Sequence, residues 1–245
     1  MEVQGEGRRS ILLVHGTPLD RSTFAEVARR APDGVRVVLL DLPDHGQAAD
    51  QLEARLEPLE DALLDALQHT RGETTLVGHS IGAWLGARVS QRLPASVTRF
   101  VSLAGFAGLS PSELEFRRQL CEQLERGEVE VPSLRETVLD MMLGDARTPE
   151  ADKVTWRGFE VPKSRIIRAL RRMLRIADAP AVRFMRATTF VHGLRDGTVP
   201  HVHSAQLARE DADSTLVSLD TGSHVLSLSH PAEVAHIVFD PGKAG

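Results

Sequence analysis

The stretch Thr74-Thr75-Leu76-Val77-Gly78-His79-Ser80-Ile81-Gly82 decides how this chain is read. A short β-branched and apolar run ends in a G-x-S-x-G pentapeptide, and Ala83 to Leu93 continues with helix-like composition. A strand that turns directly into a helix holds its turn serine in a strained backbone conformation. Glycine on either side lets strand and helix approach closely, and the hydroxyl then stands clear of its own backbone. The pentapeptide alone is a weak signal. Its setting between a strand and a helix, together with partners elsewhere in the chain, gives it weight.

Working outward, apolar runs predict further strands at Ser10–His15, Val35–Leu42, Val97–Leu103, Ala187–Val191 and Thr215–Leu219. Helix-like segments fall between them at Phe24–Arg30, at Glu53–His69 (Leu56, Leu59, Leu63 and Leu67 at helical spacing, with an acidic outer face) and at Ala232–Phe239. This alternation predicts an α/β fold: a mostly parallel sheet, flanked by helices and joined by right-handed crossovers. One interval breaks the pattern. Residues 109–180 carry three helical segments, Ser112–Glu125, Ser133–Leu143 and Ser164–Ile176, and no strand. The expectation is a core of residues 1–108 and 181–245 with an inserted helical lid at 109–180, above the carboxyl ends of the strands.

Composition narrows the function classes. Hydrophobic residues at 42% and charged residues at 26% predict a packed core rather than disorder. The absence of tyrosine excludes tyrosine chemistry. A net charge of -5 and the lack of a zinc-finger or basic stacking pattern argue against nucleic acid as a partner. One cysteine, Cys121, excludes an intrachain disulfide and fits a reducing compartment. With no signal-like N-terminus and no membrane-length apolar run, the expected location is the cytoplasm, with no membrane partner. Oligomeric state is not legible.

Three more motifs join the elbow. They are Val14-His15-Gly16-Thr17-Pro18-Leu19-Asp20 after the first long strand, His192-Gly193-Leu194-Arg195-Asp196-Gly197-Thr198-Val199-Pro200, and Thr221-Gly222-Ser223-His224. With these in register, the chain resembles the α/β-hydrolase fold superfamily over almost its whole length, in the serine esterase and haloperoxidase-like branch. It departs from the family in two places. Too few residues precede Ser10 for a full opening hairpin, so one or both opening strands are expected to be missing or vestigial. Asp44 stands where glycine is frequent in the D-L-P-G-H-G form.

The resemblance implies a triad in the order Ser80, Asp196, His224. Serine needs an adjacent base, which His224 would supply, with Asp196 fixing the imidazole tautomer. The oxyanion hole would use the backbone N–H groups of Thr17 and Ile81, since Pro18 has none to offer. The Thr17 hydroxyl is either a further donor or a loop side chain bonding its own turn. Leu19, Trp84, Phe106, Trp156 and Phe159 are candidate substrate contacts. No cofactor and no metal is called for: His201 and His203 form an H-x-H that reads as a helix start rather than a ligand pair. His79 reads as packing beside the elbow or ordering nearby loops, and Cys121 as lid packing rather than a reactive thiol.

Arg165, Arg168, Arg171, Arg172 and Arg175 cluster on one helical segment. The plain reading is a solvated face of an amphipathic lid helix. The sharper reading is an anion-attracting rim for a carboxylate, a coenzyme A thioester or an acidic carrier protein.

The expected activity is hydrolysis of a small carboxylic ester or thioester through an acyl-enzyme. The same fold and triad also support C–C bond hydrolysis, perhydrolase or haloperoxidase-like activity, and lyase steps. Against a lyase resembling the pyruvate-eliminating synthase of menaquinone biosynthesis, Gly82-Ala83-Trp84 lacks the arginine often found after the elbow in such relatives. A third reading is a ligand-binding receptor on the same fold, which an intact triad weighs against.

Overall fold

In the computed structural model the described residues are 1–48, 54–185 and 187–240. Seven strands form one sheet: β1 (Glu2–Gln4), β2 (Arg9–Val14), β3 (Val35–Leu40), β4 (Thr74–His79), β5 (Val97–Leu103), β6 (Thr189–Gly193) and β7 (Thr215–Leu219), in the spatial order β1-β3-β2-β4-β5-β6-β7. β1 pairs antiparallel with β3, and every other pairing is parallel. A single three-residue strand thus stands at the edge in place of a full opening hairpin, in line with the reduced opening expected from sequence.

The helices are α1 (Ala25–Ala28), α2 (Glu57–Leu67), α3 (Ile81–Arg88), α4 (Pro111–Arg126), α5 (Arg135–Leu143), α6 (Pro149–Arg157), α7 (Lys163–Arg175), α8 (Val202–Glu210), α9 (Leu226–Ser229) and α10 (Pro231–Phe239). Strand alternation explains why they cover both faces. Ile11 and Leu13 of β2 face a cluster with Phe24, Val27, Val35, Val37 and, from α10, Val234 and Val238. Leu12 and Val14 face the opposite cluster, with Leu59 and Leu63 of α2 and Trp84 and Leu85 of α3. A parallel strand buried on both faces is apolar along its buried length, which is why β2 carries the unbroken apolar run Ile11–Val14.

β2 and β4 are neighbours although β3 lies between them in sequence. The chain therefore reverses direction across the sheet between β3 and β4, and the loops at the carboxyl ends of β2 and β4 flank the crevice where such sheets bind ligands.

Helices α4 to α7 lie between β5 and β6 and build a third apolar cluster around Leu124, Leu139, Met142, Leu143, Trp156 and Ile166. Three of them match segments expected from sequence. The fourth, α6, is announced by Thr148, whose side chain accepts from Ala151 N, and by Pro149 at the first helical position. α4 carries a full capping box, with Ser110 and Glu113 satisfying each other's backbone N–H groups, and ends at Gly127 with φ 72°. The expected Glu53–His69 helix begins at Glu57, and Glu53 itself lies outside the described residues.

Candidate active site

Ser80 ends β4 with φ 53° and ψ −118°, a backbone region that strains any residue bearing a Cβ. The surrounding bonds impose this conformation. Ser80 N donates to Leu103 O of β5 at 2.9 Å, and Ser80 O accepts from Ala83 N at 3.0 Å and Trp84 N at 3.1 Å as α3 begins. The two flanking glycines are steric necessities. A Cβ on Gly78 would lie 2.5 Å from Ala83 Cα, and one on Gly82 would lie 2.5 Å from Val14 O.

The loops after β6 and β7 bring Asp196 and His224 together. His224 Nδ1 lies 2.7 Å from Asp196 Oδ2. A carboxylate only accepts, so Nδ1 carries the proton and Nε2 is left as a base. Asp196 is held from every side. Oδ1 accepts from Thr198 N and Val199 N, both at 2.8 Å. His192 Nε2 lies 3.2 Å from Oδ2 and 3.0 Å from Val199 O. Burial alone would raise the Asp196 pKa. The adjacent His224 and His192, with their hydrogen bonds, overcome it and hold the carboxyl well below the usual range.

His79 and His224 pack with ring centroids 4.8 Å apart. His79 Nε2 lies 3.0 Å from the His224 carbonyl, so it donates there and fixes the backbone of the His224 loop. Burial and then the neighbouring His224 depress the His79 pKa far below its ordinary value, so the ring stays neutral. The loop after β2 passes close to this pair. A Cβ on Gly16 would meet His79 Nδ1 at 2.7 Å and Ser80 Cβ at 3.1 Å.

Thr17 follows on that loop, and its hydroxyl has a partner the sequence did not indicate. Thr17 Oγ1 lies 2.8 Å from His45 Nε2, and His45 Nδ1 lies 2.8 Å from Pro43 O. Burial, reinforced by the nearby His15, pushes the His45 pKa down to about 3. A neutral His45 must donate from Nδ1 to the carbonyl, so Nε2 accepts and Thr17 donates to it. The hydroxyl neither closes its own turn nor remains available as an extra anion donor. Across the crevice, the N–H groups of Ile81 and Gly82 open α3 and have no acceptor within their own helix.

Ser80, His224, Thr17 and Pro18 line one end of a cavity of about 470 Å³ whose other walls come from the helices between β5 and β6. Leu120 and Leu124 of α4, Val138, Met141 and Met142 of α5, and Leu170 and Met173 of α7 make it largely apolar. Of the five side chains expected as substrate contacts, Phe159 lines it. Leu19, Trp84, Phe106 and Trp156 do not. Leu19 is sealed in the apolar cluster of the helical insert, and Phe106 in the core against α3. Trp84 points into the same core and donates Nε1–H to Ala107 O at 3.2 Å. Trp156 stacks on Phe159 at 5.2 Å within the apolar cluster of the helical insert, with the Arg135 guanidinium over its ring.

The family model described as "Alpha/beta hydrolase family" matches residues 11–237. The chain belongs to the alpha/beta hydrolase family. It is 22% identical over 246 residues to a pimeloyl-[acyl-carrier protein] methyl ester esterase of Pectobacterium carotovorum, covering 94% of this chain and 92% of that one. A thermophilic esterase from Thermogutta terrifontis superposes with a TM-score of 0.81 at 22% identity, covering 97% of this chain and 90% of the esterase. A bromoperoxidase from Bacillus anthracis gives 0.79 at 17%, covering 96% and 92%. These two share the fold.

This alpha/beta hydrolase is an enzyme of its family, and several of its polar clusters lie outside the cavity. Arg172 and Arg168 of α7 both reach Asp44. Arg172 also donates Nε–H to Arg55 O at 3.2 Å. At these two positions the arginine stripe is an internal tie rather than a solvated face or an open rim, while Arg171 pairs with Glu125 at the surface. His201 Nε2 bonds Ser218 Oγ at 2.9 Å, whereas His203 Nε2 bonds the Glu113 carboxylate at 3.2 Å. The H-x-H pair therefore does not converge, and no group of three or more ligand-type side chains among the described residues could hold a metal. Burial, and then Glu125, pushes the Cys121 thiol up to about 11, which leaves it unreactive at neutral pH. No helix among the described residues is long and apolar enough to cross a membrane.

Proposed function

We propose that this enzyme is a serine hydrolase that cleaves a small-molecule carboxylic ester or thioester through an acyl-enzyme. The observation that carries the reading is a strained Ser80 and an Asp196-oriented His224 that both line one apolar cavity. His224 Nε2 takes the Ser80 proton as Oγ attacks the ester carbonyl. The tetrahedral oxyanion is held by the backbone N–H groups of Thr17 and Ile81. His224 returns the proton to the departing alcohol or thiol, then activates water to release the acid and regenerate Ser80. No cofactor takes part.

Residues 109–180 act as the lid over this site, and its apolar walls suit an acyl chain. The curated relatives named as pimeloyl-[acyl-carrier protein] methyl ester esterases favour a carrier-bound acyl ester among the candidate substrates. The single, unreactive cysteine fits action in the cytoplasm.

Intact-protein mass spectrometry after fluorophosphonate treatment tests the reading. One adduct on Ser80, absent in Ser80→Ala and lost in His224→Ala, is the expected result. A folded wild-type protein that takes up no label would remove Ser80 as the nucleophile.

A further inference from the structure

The cavity wall holds one side chain with a fixed charge among its described residues, Arg117 of α4. Its neighbours in the wall are apolar or uncharged, including Leu120, Val138, Met141 and Leu170. Arg117 is 9% exposed. Burying a guanidinium among methyl groups is unfavourable unless an anion faces it, and burial indeed depresses its pKa against a weaker opposing pull from Glu113.

No carboxylate forms an ion pair with Arg117 among the described residues. The nearest candidate, Glu113, is engaged elsewhere, accepting from Ser110 N at 2.8 Å and lying 3.2 Å from His203 Nε2. Arg117 instead donates from Nη1 to the Glu113 carbonyl of its own helix at 2.9 Å. Its Nε and Nη2 have no protein acceptor among the described residues, yet they are not sealed from solvent. Elsewhere on this insert, Arg118 meets Glu115, Arg126 meets Glu122 and Arg147 meets Asp152. Arg117 is a cation set into an apolar wall with donors to spare.

We propose that Arg117 is a specificity-determining anchor for a carboxylate on the substrate, so that the cavity takes an acyl chain ending in an acid, such as a dicarboxylic acid monoester. This rests on the reading of the cavity as the substrate site. The ester sits at Ser80, the methylenes lie along Leu120, Met141 and Leu170, and the terminal carboxylate accepts from the free guanidinium N–H groups. Arginine suits the task because it stays charged when buried and can bind a carboxylate through two parallel donors.

Binding to the Ser80→Ala protein separates this proposal from the question of turnover. Calorimetric titrations with monomethyl adipate, which is anionic, and methyl hexanoate, which is neutral, give a preference ratio. The Arg117 protein is expected to favour monomethyl adipate. Arg117→Met, which keeps most of the buried stem, is expected to lower that ratio by about tenfold to a hundredfold, the range of a hydrogen bond to a charged group. Arg117→Lys should restore part of it, and would serve alone if the Met variant did not fold.

Equal weakening of both ligands in a variant of unchanged melting temperature would mean that Arg117 only packs the helix, and would overturn the proposal. So would the absence of any preference in the Arg117 protein. A clear preference in a protein whose Ser80 takes no fluorophosphonate would leave the anchor standing and remove the hydrolase reading alone.

Discussion

Asp44 and Arg172 meet as an ion pair between the loop after β3 and helix α7, with each side chain 1% exposed. Asp44 holds φ 67°, a region that favours glycine and that aspartate tolerates better than most residues. Glycine would sit there without strain. The aspartate instead brings a carboxylate that ties the helical insert to the core through Arg172 and Arg168. The next residue, His45, hydrogen-bonds the Thr17 hydroxyl, so the tie lies one residue from a contact to the loop that flanks Ser80.

Breaking a buried pair by removing one partner strands the other charge, which typically costs about 3–5 kcal/mol. In Arg172→Met the Asp44 carboxylate keeps Arg168, so the loss in urea unfolding is expected to fall below that range, at about 1.5–3 kcal/mol. Asp44→Gly should relieve the backbone strain yet remove the acid that Arg168 and Arg172 share, and the double variant should lose clearly less than the two single losses added. Strict additivity would mean that the pair is not coupled.

The Thr17 hydroxyl gives a sharper test of the anion site. Because it donates to His45, it is not among the groups that would face the proposed oxyanion. Thr17→Val should therefore lower kcat by much less than the roughly hundredfold to thousandfold loss that follows removal of an oxyanion donor. It should still destabilise the fold by about 1–3 kcal/mol, since the buried His45 Nε2 is left without a donor. A large kcat loss at unchanged stability would place the hydroxyl in the anion site instead.

Asp196→Asn keeps the shape of the acid and reverses the hydrogen-bond logic at His224 Nδ1. An amide turned to satisfy Thr198 N and Val199 N presents N–H toward the imidazole and favours the wrong tautomer. On the proposed mechanism kcat falls by about 10⁴-fold. Steady-state kinetics on a p-nitrophenyl ester reads this directly, and a loss below tenfold would remove Asp196 from the mechanism.

What the sequence disclosed follows from the range of each signal. The elbow depends on residues within one turn of each other, and the strands on an apolar run that every doubly covered strand must have. Both could be read. The side chains facing the cavity could not. α3 buries seven consecutive residues from Ile81 to Ala87, so no polar face marks which way Trp84 turns, and it turns into the core. The partners of Arg172 and Thr17 sit on a loop far away in sequence, where no periodicity connects them. The arginine stripe was visible, but its acid was not.

Stability should also carry the mark of three buried neutral histidines, His15, His45 and His79, whose pKa values burial pushes below the ordinary value. His45 is faced by His15 and Arg172, which oppose its protonation, and by Asp44, which favours it weakly. In the unfolded chain such a ring takes up a proton as pH falls through about 6.5. In the folded protein His45 does so only near about 3. The stabilisation is therefore complete above the unfolded value and is lost steadily as pH drops, at up to about 1.4 kcal/mol per pH unit for each histidine. Asp196, also depressed, acts in a lower window: its contribution is full above about 3.9 and fades only below that. Between pH 6 and pH 4.5 the histidines should dominate. Urea midpoints at pH 7.5, 6.0 and 5.0 should fall in the wild type. His45→Gln should start lower but fall less steeply, by about one histidine's share. Equal slopes in the two proteins would mean that His45 is already charged in the fold, and the direction of the Thr17 hydrogen bond would have to be reversed.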